Sequence, residues 1–191
     1  MHGHVSPQRL KRQELSYDPY HLMPSCFPSH PRVLTTQAKL ARTKELVKSA
    51  PWGPAALDRL LGRAEQPFDL PESLPVPADA DLNRRIVSRA ANCIVAHHLI
   101  GGEGQLERAL AAFRLMARSY PEWPLQPPNS KACGGGPPEN LFTVELARTY
   151  DLLAAASLSA EDDALFRDLL QATKPVTDAE PHRDCGNHNT S

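Results

Sequence analysis

The sequence predicts an all-α fold. Apolar residues recur at spacings of three and four along most of the chain, which is the period of an amphipathic helix. No stretch alternates between apolar and polar residues for long enough to predict a strand. Segments rich in proline and glycine divide the helical stretches into successive pairs. With 191 residues, of which 41% are apolar, the chain can bury the core of one domain.

Two short helices are predicted after an irregular N-terminal arm. We assign residues 1–32 to the arm because proline recurs there without an apolar period, and residues 33–191 to the helical domain. Thr35 and Thr36 can cap a first helix that runs to about Ala50. Pro51 can occupy the first turn of a second helix, whose apolar stripe consists of Trp52, Ala56, Leu57, Leu60, Leu61 and Ala64.

The third and fourth predicted helices form an antiparallel hairpin. An extended connection rich in proline precedes them, and the third helix runs from about Asp81 to Ile100. Glycines between residues 101 and 104 end it, because glycine takes left-handed backbone without strain. The partner helix carries the stripe Leu106, Leu110, Phe113, Ala117 and Tyr120. A turn this short between two helices indicates antiparallel neighbours.

A second pair of helices is predicted after the irregular segment from Pro121 to Pro138. The fifth helix runs from Glu139 to about Ala156, with Phe142, Leu146, Tyr150 and Leu153 as its stripe. Ser159 is predicted to cap the sixth helix, whose first turn is acidic, as the helix dipole favours.

Charge and hydropathy exclude several classes of function. The net charge of −1 gives no field that would gather nucleic acid or an acidic membrane surface. No apolar run approaches the roughly 20 residues that a bilayer requires. No apolar segment follows the basic residues of the N-terminus, so we expect a cytoplasmic protein, or a periplasmic or secreted one if the N-terminus is misannotated.

The cysteines and histidines do not predict a metal site or a cofactor. Cys26, Cys93, Cys133 and Cys185 lie far apart, without a C-x-x-C pair, and are expected to be free thiols. The side chains of the adjacent histidines 97 and 98 point in directions about 100° apart around a helix, so they do not suit binding of one metal ion. We expect His97 to be a hydrogen-bonded core histidine.

Two tryptophans could stack against sugar rings, since an indole face packs well on a pyranose. Trp52 lies on the stripe of the second helix, where core packing is favoured. Trp123 lies in a proline-rich loop, so substrate binding and core packing both stay open for it.

The C-terminal segment combines two amides, an imidazole and a hydroxyl outside any apolar period. The amides belong to Asn187 and Asn189, and the imidazole belongs to His188. An ordinary polar loop is the simpler explanation for such a composition. Removing the C5 proton of a uronate is difficult because the neighbouring carboxylate is already negative. An amide can neutralise that carboxylate by donating hydrogen bonds, and an imidazole can donate likewise or take the proton. Asn187 and His188 are therefore the right residue types for β-elimination.

Four segments together resemble the N-terminal helical domain of polysaccharide lyases of the alginate lyase and heparinase II/III-like group. The resemblance covers most of the chain from His30, and the segments are His30–Thr35, the hairpin that ends at Ala117–Pro124, Leu146–Leu153 with the Leu158-Ser159 that follows, and Asn187–Thr190. It implies a partial (α/α) toroid of antiparallel helical hairpins with a sugar cleft at one end. It also implies Asn187 and His188 as catalytic residues. We take Trp123, for its indole, and Asn189, for its place beside them, as substrate-binding candidates.

The resemblance implies an acidic polysaccharide or oligosaccharide, of alginate or heparin type, as the partner. The group also carries a catalytic Tyr beyond the Asn-His motif and a β-sandwich after the toroid, and no Tyr follows His188 here. We therefore expect a fragment that is incomplete or weakly active alone, with an exposed toroid face through which it could self-associate. The alternative is a non-catalytic helical binding or interaction module.

Overall fold

The computed structural model describes residues 30–33, 35–67, 69–126, 130–134 and 137–178. These residues contain six α-helices and one 3₁₀ turn, and no strand, which confirms the all-α prediction. The predicted arm lies outside them except for residues 30–32. The helices are α1 (Gln37–Ser49), α2 (Gly53–Glu65), α3 (Ala80–Ile100), α4 (Glu103–Ser119), α5 (Pro137–Ala155) and α6 (Ala160–Asp178), and the 3₁₀ turn is Tyr120–Glu122.

Side-chain caps fix the starts of three helices. The Thr36 hydroxyl accepts a hydrogen bond from the Lys39 backbone N–H (3.3 Å), and the Ser159 hydroxyl accepts one from the Asp162 N–H (3.1 Å). Both caps confirm the prediction from sequence. The Asp79 carboxylate caps α3 through the N–H groups of Asp81 and Leu82, each at 3.0 Å. This cap lies two residues before the predicted start of the helix.

The turn between α3 and α4 is formed by glycine, as predicted. Gly101 and Gly102 have φ angles of +79° and +103°, a region that other residues adopt only with strain. The Gly101 N–H donates to the His97 carbonyl (2.8 Å) and closes the last turn of α3. The chain therefore reverses within two residues, and α3 and α4 pack as an antiparallel hairpin.

The two hairpins, α3–α4 and α5–α6, lie side by side with α3 and α5 running in the same direction. The Asn83 side-chain amide, near the start of α3, donates to the Ala132 carbonyl just before α5 (3.0 Å). The His98 ring, near the end of α3, donates to the Leu152 carbonyl near the end of α5 (2.8 Å). Since each hairpin is antiparallel, α4 and α6 also run in parallel, and α6 ends at the end of the bundle where α3 and α5 begin.

The core lies among these four helices. Phe113 of α4 and Phe166 of α6 meet edge to face with ring centroids 4.8 Å apart, and both are fully buried. Ten further apolar residues, spaced along α3 to α6 at helical intervals, are buried with them: Ile86, Ala90, Cys93, Ile94, Leu110, Ala117, Phe142, Leu146, Leu153 and Leu169. In the described part of the chain no helix combines the length and the apolar character needed to cross a bilayer.

Trp52 is an exception among the predicted core residues, with 54% of its surface exposed. The residue precedes α2 as its N-cap position rather than lying on the helix stripe. The next residue, Gly53, approaches the Val47 backbone so closely that a β-carbon there would lie 2.3 Å from the Val47 carbonyl oxygen. This tight corner between α1 and α2 leaves the indole outside, so the core prediction for Trp52 was wrong.

Candidate functional site

The predicted catalytic pair lies outside the described residues. Asn187 and His188, together with the substrate-binding candidate Asn189, belong to residues 179–191, which follow the described part of the chain. The last described residue is Asp178, where α6 ends. This is the end of the bundle where α3 and α5 begin, and the described residues of the loop from 120 to 134 lie at the same end.

Trp123 is part of the core at that end. Its side chain is only 2% exposed, and its indole N–H donates to the Pro75 carbonyl (3.0 Å). Tyr120 packs against it edge to face, with ring centroids 5.6 Å apart. The 3₁₀ turn brings the indole under the proline-rich connection between α2 and α3. A buried indole offers no free face to a sugar ring, so we do not retain Trp123 as a substrate-binding residue.

A buried carboxylate holds the loop in place. Glu139, in the first turn of α5, is 1% exposed and accepts hydrogen bonds from the backbone N–H groups of Ala132 (3.0 and 3.1 Å) and Cys133 (2.6 Å). Burial together with the Glu139 charge raises the pKa of the Cys133 thiol to about 12. Sequence reasoning did not identify Glu139, because a single acidic residue at a helix start is ordinary there.

Two polar atoms next to this loop have no hydrogen bond within the described residues. They are the side-chain oxygen of Asn83 and the hydroxyl of Tyr120, both buried. Burial, followed by the Glu139 charge, raises the pKa of Tyr120, so its hydroxyl keeps its proton at neutral pH. Tyr120 can therefore donate a hydrogen bond there but cannot act as a base.

His30 and Asp151 connect two segments that are far apart in the sequence. The Asp151 carboxylate is 3% exposed and lies 2.6 Å from the His30 Nδ1 atom. It also accepts hydrogen bonds from the backbone N–H groups of Arg32 (2.8 and 3.0 Å) and Val33 (2.8 Å). The first described residues are thereby fixed to the last turns of α5.

Tyr150 extends this polar contact to α6. Its hydroxyl donates to Asp163 (2.7 Å) and accepts from the Arg167 guanidinium (3.1 Å), and its ring meets the His30 ring edge to face. Burial, then the hydrogen bond to Asp163, raises the pKa of Tyr150. The phenol therefore stays protonated at neutral pH, in a structural role between α5 and α6.

An open cleft of about 750 Å³ lies between α4 and the proline-rich connection. Arg114 and Arg118 line it from α4, Glu122 from the 3₁₀ turn that follows, and Glu72 from the connection. Since two cations face two carboxylates, the cleft has no marked preference for an anionic ligand. Arg114 is in addition bound to Asp162 of α6, at 2.7 Å.

No metal site is present among the residues that the structure describes, since no three His, Cys, Asp or Glu side chains converge there. The His97 ring donates to the Gly102 carbonyl (3.0 Å), so the predicted hydrogen bond is present. The ring is only half-buried at the end of α3, so the prediction that it belongs to the core was wrong. The pKa of the neighbouring His98 is lowered, mainly because the ring is buried. His98 is therefore neutral at pH 7.

Comparison with known proteins adds no relative to this description. No protein-family model and no curated protein sequence matches the chain.

Proposed function

We propose that this chain is a helical domain of a polysaccharide lyase that acts on uronate polysaccharide of alginate or heparin type by β-elimination. The supporting observation is the contact between two of the segments on which the resemblance depends. His30, Arg32 and Val33 come from the first segment, and Asp151 comes from the third. Short patterns that match by chance have no reason to meet, whereas these two are joined around one buried carboxylate.

The proposed architecture is a partial (α/α) toroid. Two antiparallel hairpins with α3 parallel to α5 form a repeat that further hairpins could extend into a ring. The resemblance implies a sugar cleft at one end of such a ring. The end that carries the loop from 120 to 134 is our candidate, because α6 ends there.

Asn187 and His188 perform the proposed chemistry. The Asn187 amide donates hydrogen bonds to the substrate carboxylate and so disperses the charge that grows when the C5 proton leaves. His188 assists this neutralisation or takes the proton, since an imidazole titrates near neutral pH. Asn189 contacts the sugar beside them. The leaving glycosidic oxygen takes its proton from water, which is a weaker acid than a positioned side chain, so we expect the chain alone to turn over weakly.

Binding to size-defined oligomannuronate and oligoguluronate tests the roles of Asn187 and His188. A hydrogen bond to a charged group contributes about 1.5–3 kcal/mol, so Asn187→Ala should weaken oligouronate binding roughly tenfold or more. Carboxyl-reduced oligosaccharides, which lack the charge, should bind the variant and the native chain alike. His97→Gln, at the opposite end of the bundle, is the matched control for His188→Ala.

Product formation gives the second readout, through the ultraviolet absorbance of the unsaturated sugar. We expect slow formation by the native chain and none by Asn187→Ala or His188→Ala. Product formation and binding that are unchanged in both variants would exclude a lyase site at these residues. Uronate binding by the native chain with no product at all would favour the non-catalytic binding module.

Self-association through an exposed toroid face also remains a prediction. Leu141 and Val144, three residues apart on α5, are 69% and 43% exposed and therefore place two large apolar side chains together on one helix face. Sedimentation equilibrium over a range of concentrations measures whether copies of the chain associate, and Leu141→Lys should abolish association through this face.

A further inference from the structure

A groove on the outer side of α3 is lined by four arginines. It has a volume of about 570 Å³ and runs between α3 and the end of α2. The lining residues are Arg63, Gln66, Pro67, Arg84, Arg85, Ser88, Arg89 and Asn92. No acidic side chain is among them. In a chain whose net charge is −1, this is a marked local concentration of positive charge.

Two of the four guanidinium groups are available to a ligand. Arg84 pairs with Asp81 on its own helix, and Arg89 donates to the Arg63 backbone carbonyl at 2.8 Å. Arg63 and Arg85 are exposed and form no ion pair within the described ranges. An unpaired guanidinium presents several donors in a planar fork, which matches a carboxylate at two points.

The spacing of these groups suits a chain of repeating anions. Arg89 uses only one of its N–H donors on the Arg63 carbonyl and keeps others for a ligand. It lies four residues after Arg85 on α3, so the two groups share a helix face about one turn apart. One turn is comparable to the length of a pyranose unit. The amides of Gln66 and Asn92 and the Ser88 hydroxyl, all in the groove lining, can bind sugar hydroxyls between the charges.

The lining also distinguishes between classes of polyanion. Proteins that bind single-stranded nucleic acid generally stack bases on aromatic side chains, and no aromatic residue lines this groove. A neighbouring cleft shares Pro67 and Arg89 with the groove but adds Glu65 and Asp69. These carboxylates mark one end of the positive surface. Asp79 and Asp81, which line a cleft that shares Arg84 and Arg85 with the groove, mark another boundary, so the ligand stretch that fits is a few residues long.

We propose that this groove binds the carboxylates of an acidic oligosaccharide, with Arg63 and Arg85 as the principal contacts. The saccharide class rests on the function proposed above, whereas the preference for an anion rests on the groove itself. The groove residues belong to α2, to α3 and to the connection after α2, whereas Asn187 and His188 follow α6 in the sequence.

Isothermal calorimetry of the 191-residue chain with size-defined oligomannuronate tests this site. Arg85→Gln and Arg63→Gln should each raise Kd about three- to tenfold, and the double variant should raise it more than tenfold. Arg42→Gln on α1 is the matched control, because Arg42 is also exposed and the substitution removes the same charge. It should change Kd less than twofold.

The outcomes separate this inference from the proposed function. A double variant that binds like Arg42→Gln would overturn the groove as the binding site, even if product still forms and depends on Asn187. No binding by the native chain, or equal binding of a carboxyl-reduced oligosaccharide, would overturn recognition of carboxylates. Tighter, groove-dependent binding of single-stranded oligouridylate would overturn the saccharide ligand. Binding that depends on Arg63 and Arg85 without product formation would support the groove and contradict the lyase.

Discussion

The Arg114 guanidinium and the Asp162 carboxylate meet through two parallel hydrogen bonds, Nε to Oδ1 and Nη2 to Oδ2, each of 2.7 Å. The Asp162 side chain also accepts from the Ser159 hydroxyl (3.0 Å), whose oxygen caps the same helix turn. One carboxylate thus joins α4 to the start of α6 and completes the cap of α6.

Removing the cation should destabilise the fold. Arg114→Met leaves a nearly buried carboxylate without its charged partner, and we expect a loss of about 1–2 kcal/mol in the free energy of unfolding. Urea denaturation at pH 7 measures this loss. Arg108→Met, at an exposed position earlier on α4, is the control and should change stability by less than about 0.5 kcal/mol. Equal stability of the two variants would contradict a contribution from the pair.

The same pair predicts a pH dependence. The hydrogen bonds from Arg114 hold the pKa of Asp162 below its usual value. A carboxyl whose pKa is lower in the folded state stabilises the fold above its unfolded pKa of about 3.9, and this contribution is lost as the pH falls through the folded pKa. The stability difference between the native chain and Arg114→Met should therefore be constant near neutral pH and shrink below about pH 4. If the stabilities of the native chain and Arg114→Met differed by the same amount at every pH down to about 2, the lowered pKa of Asp162 would be contradicted.

Asp151→Asn should release the segment that begins at His30. The new amide group places its own N–H donors against the N–H groups of Arg32 and Val33, which costs about 1–3 kcal/mol for the buried groups left unsatisfied. Limited proteolysis with trypsin measures this release, because the Arg32 side chain is exposed while the backbone N–H groups of Arg32 and Val33 are bound to Asp151. We expect cleavage after Arg32 at least tenfold faster than in the native chain. Asp168→Asn, which alters an exposed residue of α6, should leave the rate unchanged.

Two glycines of α2 should respond in opposite ways to alanine. Gly53→Ala places a β-carbon against the Val47 backbone, which cannot move without displacing α1, so we expect destabilisation by about 1–3 kcal/mol. At Gly62 nothing lies within 4 Å of the added carbon, and alanine should stabilise the helix by about 0.5–1 kcal/mol. Thermal unfolding followed by circular dichroism compares the two. A destabilising Gly62→Ala would contradict the open surface described there.

The two described cysteines should resist alkylation in the folded protein. Cys93 and Cys133 are free and buried, and burial is the main cause that raises the pKa of each thiol. Little thiolate is then available at pH 8, and access is blocked as well. Mass spectrometry after iodoacetamide treatment should find both unmodified without denaturant and both modified in urea. Fast modification of either thiol without urea would mean that the core opens readily. Cys26 and Cys185 fall outside the described residues.

Features that depend on neighbouring residues in the sequence were predicted well. The caps at Thr36 and Ser159, the glycine turn after α3 and the apolar stripes of α3 to α6 follow from local hydrogen bonding and helical period alone. Trp52 fails for an instructive reason: extending the stripe by one residue crossed the helix start at Gly53.

Features that depend on distant segments were not predicted. Trp123 lies in a loop without any period, and only the contact of its indole with Pro75 determines its burial. Glu139 is buried because the loop residues Ala132 and Cys133 turn their N–H groups toward it. The arginine groove likewise requires the end of α2 beside α3. The Asn187 and His188 prediction falls outside the described residues, so the sequence alone supports it.

The contact between His30 and Asp151 has a consequence for the order of folding. Its two residues are 121 positions apart, whereas the α3–α4 hairpin closes across a two-residue turn. Closing a longer loop costs more chain entropy, and contacts between nearby residues form sooner. The hairpins should therefore assemble first, and the contact between His30 and Asp151 should form last, on a bundle that is already folded. Stopped-flow measurements should accordingly find that Asp151 variants unfold faster than the native chain but refold at nearly the same rate.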